Sequence, residues 1–254
     1  MRAIPLQIAL IFLALASCIS RVTAQDLSTL LSRFQSESDR ASKEATLMKI
    51  TTDYRGAGPA LLTIARETKD EDTKWLAIRG VGYLKFSGAA PFLKQSLQSK
   101  SVYVRANAAR ALGEVHDTSA APGLIKLLSD EPDSSVIEQT ALALEMLGAK
   151  EALPALKLRA RNTSPQTRIW ILGAIELLGS RADVPFFIPF LNDDNESVVY
   201  FAGLSIERMT GQDFGFPKCP GNGPCGIDND AGVQNAMRWW NDHKQEWHGD
   251  SPVK

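Results

Sequence analysis

Five prolines recur at nearly constant intervals through the middle of this 254-residue chain. They are Pro59, Pro91, Pro122, Pro154 and Pro185. A period of about 31 residues is typical of an array of short structural units, in which each unit covers the apolar face of its neighbour. The register therefore predicts a repeat protein rather than a globular domain with one closed core.

Apolar residues follow every proline at two fixed offsets. Positions two and six places after the prolines hold Leu61, Leu93, Leu124, Leu156 and Phe187, and Ala65, Leu97, Leu128, Ala160 and Leu191. A spacing of four places both columns on one face of a helix. Proline suits the first helical turn, because the N–H that it lacks has no partner there. Each proline therefore predicts the start of the second helix of a hairpin.

A companion helix is predicted upstream of the prolines. The clearest copies are Val104–Gly113, Glu138–Gly148 and Arg168–Gly179, and each ends near a glycine that we expect to adopt the left-handed conformation of a helix C-cap. Polar turns at 130–133 and 192–195 separate the repeats, and their side chains are expected to cap the helices that follow. The chain is predicted to alternate helix and turn throughout this region.

The segment 104–113, VRANAARALG, followed by APGL at 121–124, resembles the short bacterial HEAT-like repeat, which also occurs in bilin lyases. The resemblance covers residues 40–212, more than the minimum of about three repeats that a solenoid needs. Val136-Ile137 and Val198-Val199 depart from the Val-Arg pair that opens most copies. The resemblance implies an all-α fold, an α-α superhelix of the HEAT-type, armadillo-type solenoid.

The N-terminus has the features of an export signal. Arg2 precedes an apolar run over 6–16, which is too short to span a bilayer but has the length of a signal-peptide core. Two processing sites remain open, cleavage after Ala24 or a bacterial lipobox that would lipidate Cys18. We therefore expect an exported protein in the periplasm, at the outer membrane or outside the cell. Its only membrane attachment would be the lipid at Cys18.

Four segments follow from these features. A signal peptide is predicted over 1–24, or 1–17 in a lipoprotein, and an N-terminal helical cap or linker over 25–39. The HEAT-repeat solenoid is predicted over 40–212, and a C-terminal cap over 213–250. The cap is expected because a solenoid must cover the apolar face of its last repeat.

The predicted cap contains a cysteine loop and a tryptophan-rich helix. In an oxidising compartment Cys219 and Cys225 are expected to form a disulfide across a loop rich in proline and glycine. Downstream, the apolar residues at helical spacing are Val233, Ala236, Trp240 and Trp247, which predicts a helix packed on the final repeat. Trp239 lies off that stripe and could belong to an aromatic binding surface or to cap packing. The TGQDFG sequence at 210–215 and the paired tryptophans are similar to the ends of other exported bacterial HEAT proteins.

Motifs for catalysis and metal binding are missing from the sequence. No Gly-x-Ser-x-Gly elbow, Walker loop, CxxC pair or HExxH helix occurs. The segment Asp228-Asn229-Asp230 opens like a calcium loop but lacks its glycine and closing glutamate. We therefore expect no catalytic residues, no metal and no cofactor. The net charge of −1 gives no indication of a nucleic-acid partner.

The sequence favours binding of a protein partner. The second helices of HEAT hairpins line the inner face, where Lys94, Lys126, Lys157, Arg159 and Arg161 could form a basic ridge or serve only as solubilising charges. The leading expectation is a non-catalytic protein–protein interaction scaffold in the cell envelope or outside the cell. The alternatives are an enzyme or lyase-like subunit acting on a protein substrate, and a structural envelope lipoprotein. The export signal argues against a bilin lyase, since those enzymes act on cytoplasmic antenna proteins.

Overall fold

The structure is a computed structural model that describes residues 25–217 and 229–247. These residues form α-helices joined by short turns and contain no strand. The helices are α1 (25–36), α2 (Arg40–Asp53), α3 (Gly58–Glu67), α4 (Glu71–Tyr83), α5 (Ala90–Ser96), α6 (Val102–Glu114), α7 (Ala121–Asp130), α8 (Ser134–Met146), α9 (Leu153–Arg161), α10 (Pro165–Leu178), α11 (Val184–Phe187), α12 (Glu196–Thr210) and α13 (Asp230–His243). The 3-10 turns are Ser87–Ala89, Thr118–Ala120, Lys150–Ala152, Arg181–Asp183 and Ile188–Asn192.

The chain divides into two compact units, one ending at Pro91 and one beginning at Phe92. In the first unit α4 packs against both α2 and α3. In the second unit α6, α8, α10 and α12 pack in succession, and α7 and α9 pack beside them as the second helices of their hairpins. This stacking of hairpins confirms the prediction of an all-α, HEAT-type solenoid.

The prolines begin the second helices as the sequence predicts. Pro59, Pro122, Pro154 and Pro185 occupy the first or second position of α3, α7, α9 and α11. Four of the five residues two positions after the prolines are leucines and the fifth is Phe187, and all five are fully buried. Each such side chain contributes about 2 kcal/mol by leaving water, so this column stabilises every hairpin.

The predicted N-caps are also confirmed. Asp133 Oδ1 accepts hydrogen bonds from the backbone N–H groups of Ser135 and Val136 at the start of α8. Asn195 Oδ1 accepts equivalent bonds from Ser197 and Val198 at the start of α12. Both polar turns therefore satisfy backbone donors that the helices themselves leave without partners.

The expectation of left-handed glycine caps is correct at one of three positions. Gly148 has φ of +63°, whereas Gly179 is extended with φ of −81° and ψ of −166°. Gly113 lies inside α6, where a Cβ atom would be 2.9 Å from the Cα of Ala143 in α8. Close packing of helices, rather than a left-handed turn, therefore explains Gly113.

In every second repeat of the second unit, an ion pair joins the start of the first helix to the turn that follows the second helix. Arg105 Nε and Nη2 each donate to Glu131 at 2.8 Å, and Arg168 donates to Asp193. The intervening copy has Ile137 at this position, 1% exposed. The departure from Val-Arg noted in the sequence thus replaces an ion pair by apolar packing.

Candidate functional site

A pocket of about 850 Å³ lies between the last complete hairpin of the second unit and the end of the preceding helix, α9. The end of α9, the start of α10, the 3-10 turn Ile188–Asn192 and the turn before α12 surround it. Phe186 and Phe190 form an aromatic floor, with ring centroids 5.3 Å apart and planes inclined by 60°. Both rings are more than nine-tenths buried, so the floor is part of the packed core.

Three cations stand over the aromatic floor. Lys157 Nζ and the guanidinium carbon of Arg161 lie 5.6 and 5.5 Å from the Phe186 ring centroid, and that of Arg168 lies 5.9 Å from the Phe190 centroid. These distances are within the range of cation–π attraction. The aromatic faces thereby hold basic side chains at the edge of the pocket.

Two of the three cations are neutralised by carboxylates. Lys157 pairs with Asp183 and Arg168 pairs with Asp193. Burial raises the pKa of Asp183, but hydrogen bonds from Lys157 and the Ser180 backbone outweigh it and hold the pKa below its usual range. Arg161, which is exposed, has no carboxylate partner among residues 25–217 and 229–247. It is therefore the cation in this pocket that a ligand can pair with.

The rim of the pocket supplies carboxylate and amide groups. Asn195 is engaged as the cap of α12, and Asp193 accepts from the Asn195 backbone N–H as well as from Arg168. Asp194 is exposed and lines the same pocket. Because Arg168 occupies Asp193, Asp194 is the lining carboxylate that is open to a ligand. The pocket can hold an aromatic or conjugated group that carries a carboxylate.

The basic residues predicted for the inner face separate into two groups. Lys94 pairs with Asp117 at 3.0 Å, and Lys126 pairs with Asp130 at 2.9 Å, beside a smaller groove of about 320 Å³. Arg161 lines the larger pocket, Lys157 lies over the Phe186 ring, and Arg159 donates to the Glu131 backbone carbonyl. Most of these charges bind neighbouring repeats together. A ligand-binding role for the ridge stays a prediction.

The predicted cap residues lie on or beside α13, which packs against α12. Ala236 is fully buried, Val233, Trp240 and Trp247 are half-buried, and the Trp240 and Trp247 rings are 5.9 Å apart. Trp239, outside the predicted stripe, packs its ring 5.5 Å from Phe214. The tryptophan rings therefore pack against one another and beside Phe214, and their role as a cap stays a prediction. Cys18, Cys219, Cys225 and Asp228 lie outside the described residues.

The described residues provide neither a metal cluster nor a membrane-spanning helix. In the ranges 25–217 and 229–247, no group of three or more His, Cys, Asp and Glu side chains could hold a metal ion. No described helix combines the length and the apolar character that crossing a membrane requires.

The aromatic floor was not found from the sequence. The sequence feature that could have revealed it is the segment 185–190, PFFIPF, in which Pro189 follows Pro185 by about one helical turn. The second proline cannot donate a helical hydrogen bond, so α11 ends at Phe187 and continues as a 3-10 turn. This shortened helix distinguishes the last hairpin from the others.

Comparison with known families identifies the repeats. The HEAT repeats family matches residues 58–145 and 121–207, which together span more than half of the chain. The chain belongs to the HEAT-repeat family.

Similar proteins of known identity include lyase subunits. Phycocyanobilin lyase subunit alpha of Picosynechococcus sp. is 30% identical over 119 residues, which are 42% of this chain and 44% of that protein. Phycocyanobilin lyase subunit alpha of Nostoc sp. is 34% identical over 119 residues, 42% and 43% of the two chains. Bilin biosynthesis protein PecE of Mastigocladus laminosus is 31% identical over 109 residues, which are 43% of this chain and 40% of that protein. The match therefore spans less than half the length of each relative.

Two solved structures share the fold. The complex of CpcE and CpcF of phycocyanin lyase from Nostoc sp. contains a chain with a TM-score of 0.53 and 21% identity, covering 70% of this chain and 75% of that one. An engineered protein has a TM-score of 0.50 and 18% identity, and the match covers 73% of this chain and 97% of that one. At these identities the similarity is one of fold.

The expectations of a non-catalytic scaffold and of a chain that is not an enzyme are wrong. The relatives are lyase subunits and a bilin biosynthesis protein, which favours the alternative of an enzyme or lyase-like subunit. The sequence argument failed because it sought local motifs. An active site assembled from residues that are distant in the sequence leaves no such motif.

Proposed function

We propose that this chain is a lyase-like enzyme subunit that acts on a protein substrate together with a protein partner. The observation that carries the proposal is the 30% and 34% identity, over 119 residues, to two proteins named phycocyanobilin lyase subunit alpha. The word subunit in those names supports a protein partner. Because the match spans less than half of each relative, the substrate and partner of this chain are part of the proposal.

The pocket beside Arg161 is the proposed site for the group that is attached to or removed from the substrate protein. A bilin is an extended conjugated molecule with carboxylate side chains. Arg161 would pair with a carboxylate, and the pocket above Phe186 and Phe190 would receive the conjugated part. Asp194 would accept or return a proton at the rim.

The proposal is tested by titrating the purified chain with phycocyanobilin and following the visible absorbance of the pigment. Arg161→Gln should weaken binding about tenfold, the effect of losing one charge-assisted hydrogen bond. Lys126→Gln is the matched control, because it removes one positive charge from another second helix, away from the pocket. Absence of binding by the unaltered chain, or equal loss in both variants, would contradict the proposed function.

The export signal, the lipid at Cys18 and the Cys219–Cys225 disulfide remain separate proposals. They predict either a diacylglyceryl group on Cys18 or an N-terminus at Gln25 in protein from the native source, and a mass increase of the C-terminal fragment on reduction. Mass spectrometry of the isolated protein measures both. Unprocessed Met1 in that protein would overturn the export proposal, and a lyase subunit would then act inside the cell.

A further inference from the structure

One position in the first helices can be compared across four successive repeats. Gly113, Glu145, Glu176 and Glu207 follow the period of the repeat and lie near the ends of α6, α8, α10 and α12. Gly113 faces the next first helix, since its missing Cβ would touch Ala143 and Met146 of α8. The hydrogen bonds of the glutamate at this position can therefore be compared from one repeat to the next.

Two of the three glutamates are fully engaged. Glu176 accepts a 2.6 Å hydrogen bond from Ser205 Oγ and bonds of 2.6 and 2.8 Å from Arg208 Nη1, both residues being on the next helix. Glu207, 9% exposed, accepts from the backbone N–H groups of Phe214 and Phe216 at 2.8 and 3.4 Å. At this position a carboxylate is thus normally satisfied by the segment that packs next to it.

Glu145 lacks both of these partners. The residues at the places equivalent to Ser205 and Arg208, one repeat earlier on α10, are Ala174 and Leu177. Glu145 is half-buried, and its side-chain carboxylate has no hydrogen-bond or ion-pair partner among residues 25–217 and 229–247. Burial and the nearby carboxylate of Glu176 both raise the pKa of Glu145. Glu145 is therefore a hydrogen-bond acceptor, and the next helix does not supply the donors that Glu176 receives from Ser205 and Arg208.

An exposed apolar stripe accompanies this carboxylate. Trp170 is 45% exposed and Leu177 is 66% exposed, and their spacing of seven places them on one face of α10. Gly173 lies between them, and a Cβ atom there would meet no atom within 4 Å. The stripe thus has two large apolar side chains with an open notch between them, a shape that suits one inserted side chain.

We propose that α10 is the docking surface for the partner protein, through an amphipathic helix that places an arginine against Glu145 and an apolar side chain over Gly173. The pair of Glu176 with Arg208 in the next repeat shows how an arginine binds a carboxylate at this position. In the repeat of Glu145, Leu177 occupies the place equivalent to Arg208, so the arginine would come from the partner. This inference rests on the partner required by the proposed function. The residues that it concerns, Glu145, Trp170, Gly173 and Leu177, do not line the pocket beside Arg161, to which α10 contributes Pro165 and Arg168 from its start.

The experiment places a photo-reactive phenylalanine derivative at Leu177 in the full chain, expressed in its native source, and sequences the crosslinked segment. The matched control carries the same group at Leu158, which is 67% exposed on α9. We expect a crosslink at position 177 but not at 158, to a segment with helical apolar periodicity and an arginine. Glu145→Gln should lower the yield about tenfold, because it removes the charge from the pair.

Three results would overturn the docking surface. These are equal crosslinking at both positions, a crosslinked segment without a basic residue or from a second copy of this chain, and an unchanged yield in Glu145→Gln. Circular dichroism of each variant checks its folding. Arg161→Gln should leave the crosslink intact, so failure of pigment binding and failure of docking are distinguishable.

Discussion

At the residue scale, the turns between paired helices repeatedly require a left-handed backbone. Lys85, His116 and Gly148 occupy this place in three successive hairpins, with φ of 51°, 56° and 63°. The left-handed conformation costs a residue with a Cβ atom about 1 kcal/mol, whereas glycine adopts it freely. Two of the three turns therefore carry a backbone cost that the third avoids.

Exchanging the residues at these turns should shift stability in opposite directions. His116→Gly should raise the free energy of unfolding by about 1 kcal/mol, and Gly148→Ala should lower it by about 1 kcal/mol. A Cβ at Gly148 meets no atom within 4 Å, so the change in stability reflects only the cost of the left-handed backbone conformation and not a steric clash. Urea denaturation measures both, and a change of the same sign in the two variants would contradict the explanation.

At the scale of the elements, Glu131 joins three helices. Its carboxylate accepts two hydrogen bonds from Arg105 of α6, and its backbone carbonyl accepts one from Arg159 of α9. Burial raises the pKa of Glu131, but the bonds from Arg105 and the Asp133 backbone outweigh it and lower the pKa. Glu131 is only 4% exposed, so removal of its charge would leave Arg105 poorly satisfied.

Glu131→Gln should therefore destabilise the protein by about 2 kcal/mol at neutral pH. Since the folded-state pKa is lowered, this contribution is present above the unfolded-state pKa and is lost as the pH falls through the folded-state value. The variant and the parent should converge in acid. Asp130→Asn is the control, because its exposed pair with Lys126 is worth at most about 0.5 kcal/mol. Urea denaturation with equal losses in both variants would refute the role of Glu131.

At the scale of the whole molecule, acid should weaken both units, because carboxylates with lowered pKa values occur in each. They are Asp39, Asp70, Asp117, Glu131 and Asp183. The largest change is at Asp70, where hydrogen bonds from Lys43 and then Thr73 lower the pKa to about 2. Its stabilising effect is present above the unfolded-state value of 3.8 and lost as the pH falls to about 2.

Thermal unfolding followed from neutral pH to about pH 2 checks this expectation. Asp70→Asn should lower the melting temperature at neutral pH and should reduce the further fall between about pH 4 and about pH 2. Asp53→Asn is the comparison, since Asp53 pairs with Lys49 on the surface of α2. A profile for Asp70→Asn that runs parallel to that of the unaltered chain would show that Asp70 is not responsible.

Most of the fold could be predicted from the sequence, because the repeat places each proline and buried leucine at a fixed interval. The candidate pocket could not, since it arises where Pro189 interrupts that regularity and aromatic residues replace the usual aliphatic ones. The ion pairs of Lys94 and Lys157 could not be predicted from the sequence either. Their carboxylate partners, Asp117 and Asp183, are distant in the sequence and belong to the next hairpin.

The bonds from Phe214 and Phe216 to Glu207 also bear on how this array could grow by gene duplication. In earlier repeats the equivalent position faces another helix, but beyond α12 it is filled by non-helical chain, with Phe216 packed against Gly203 and Gly232. A duplicated hairpin inserted after α12 would have to displace that segment and leave two backbone donors unsatisfied. Insertion further upstream preserves it. We therefore expect an added hairpin to be tolerated better upstream of α12 than directly after it.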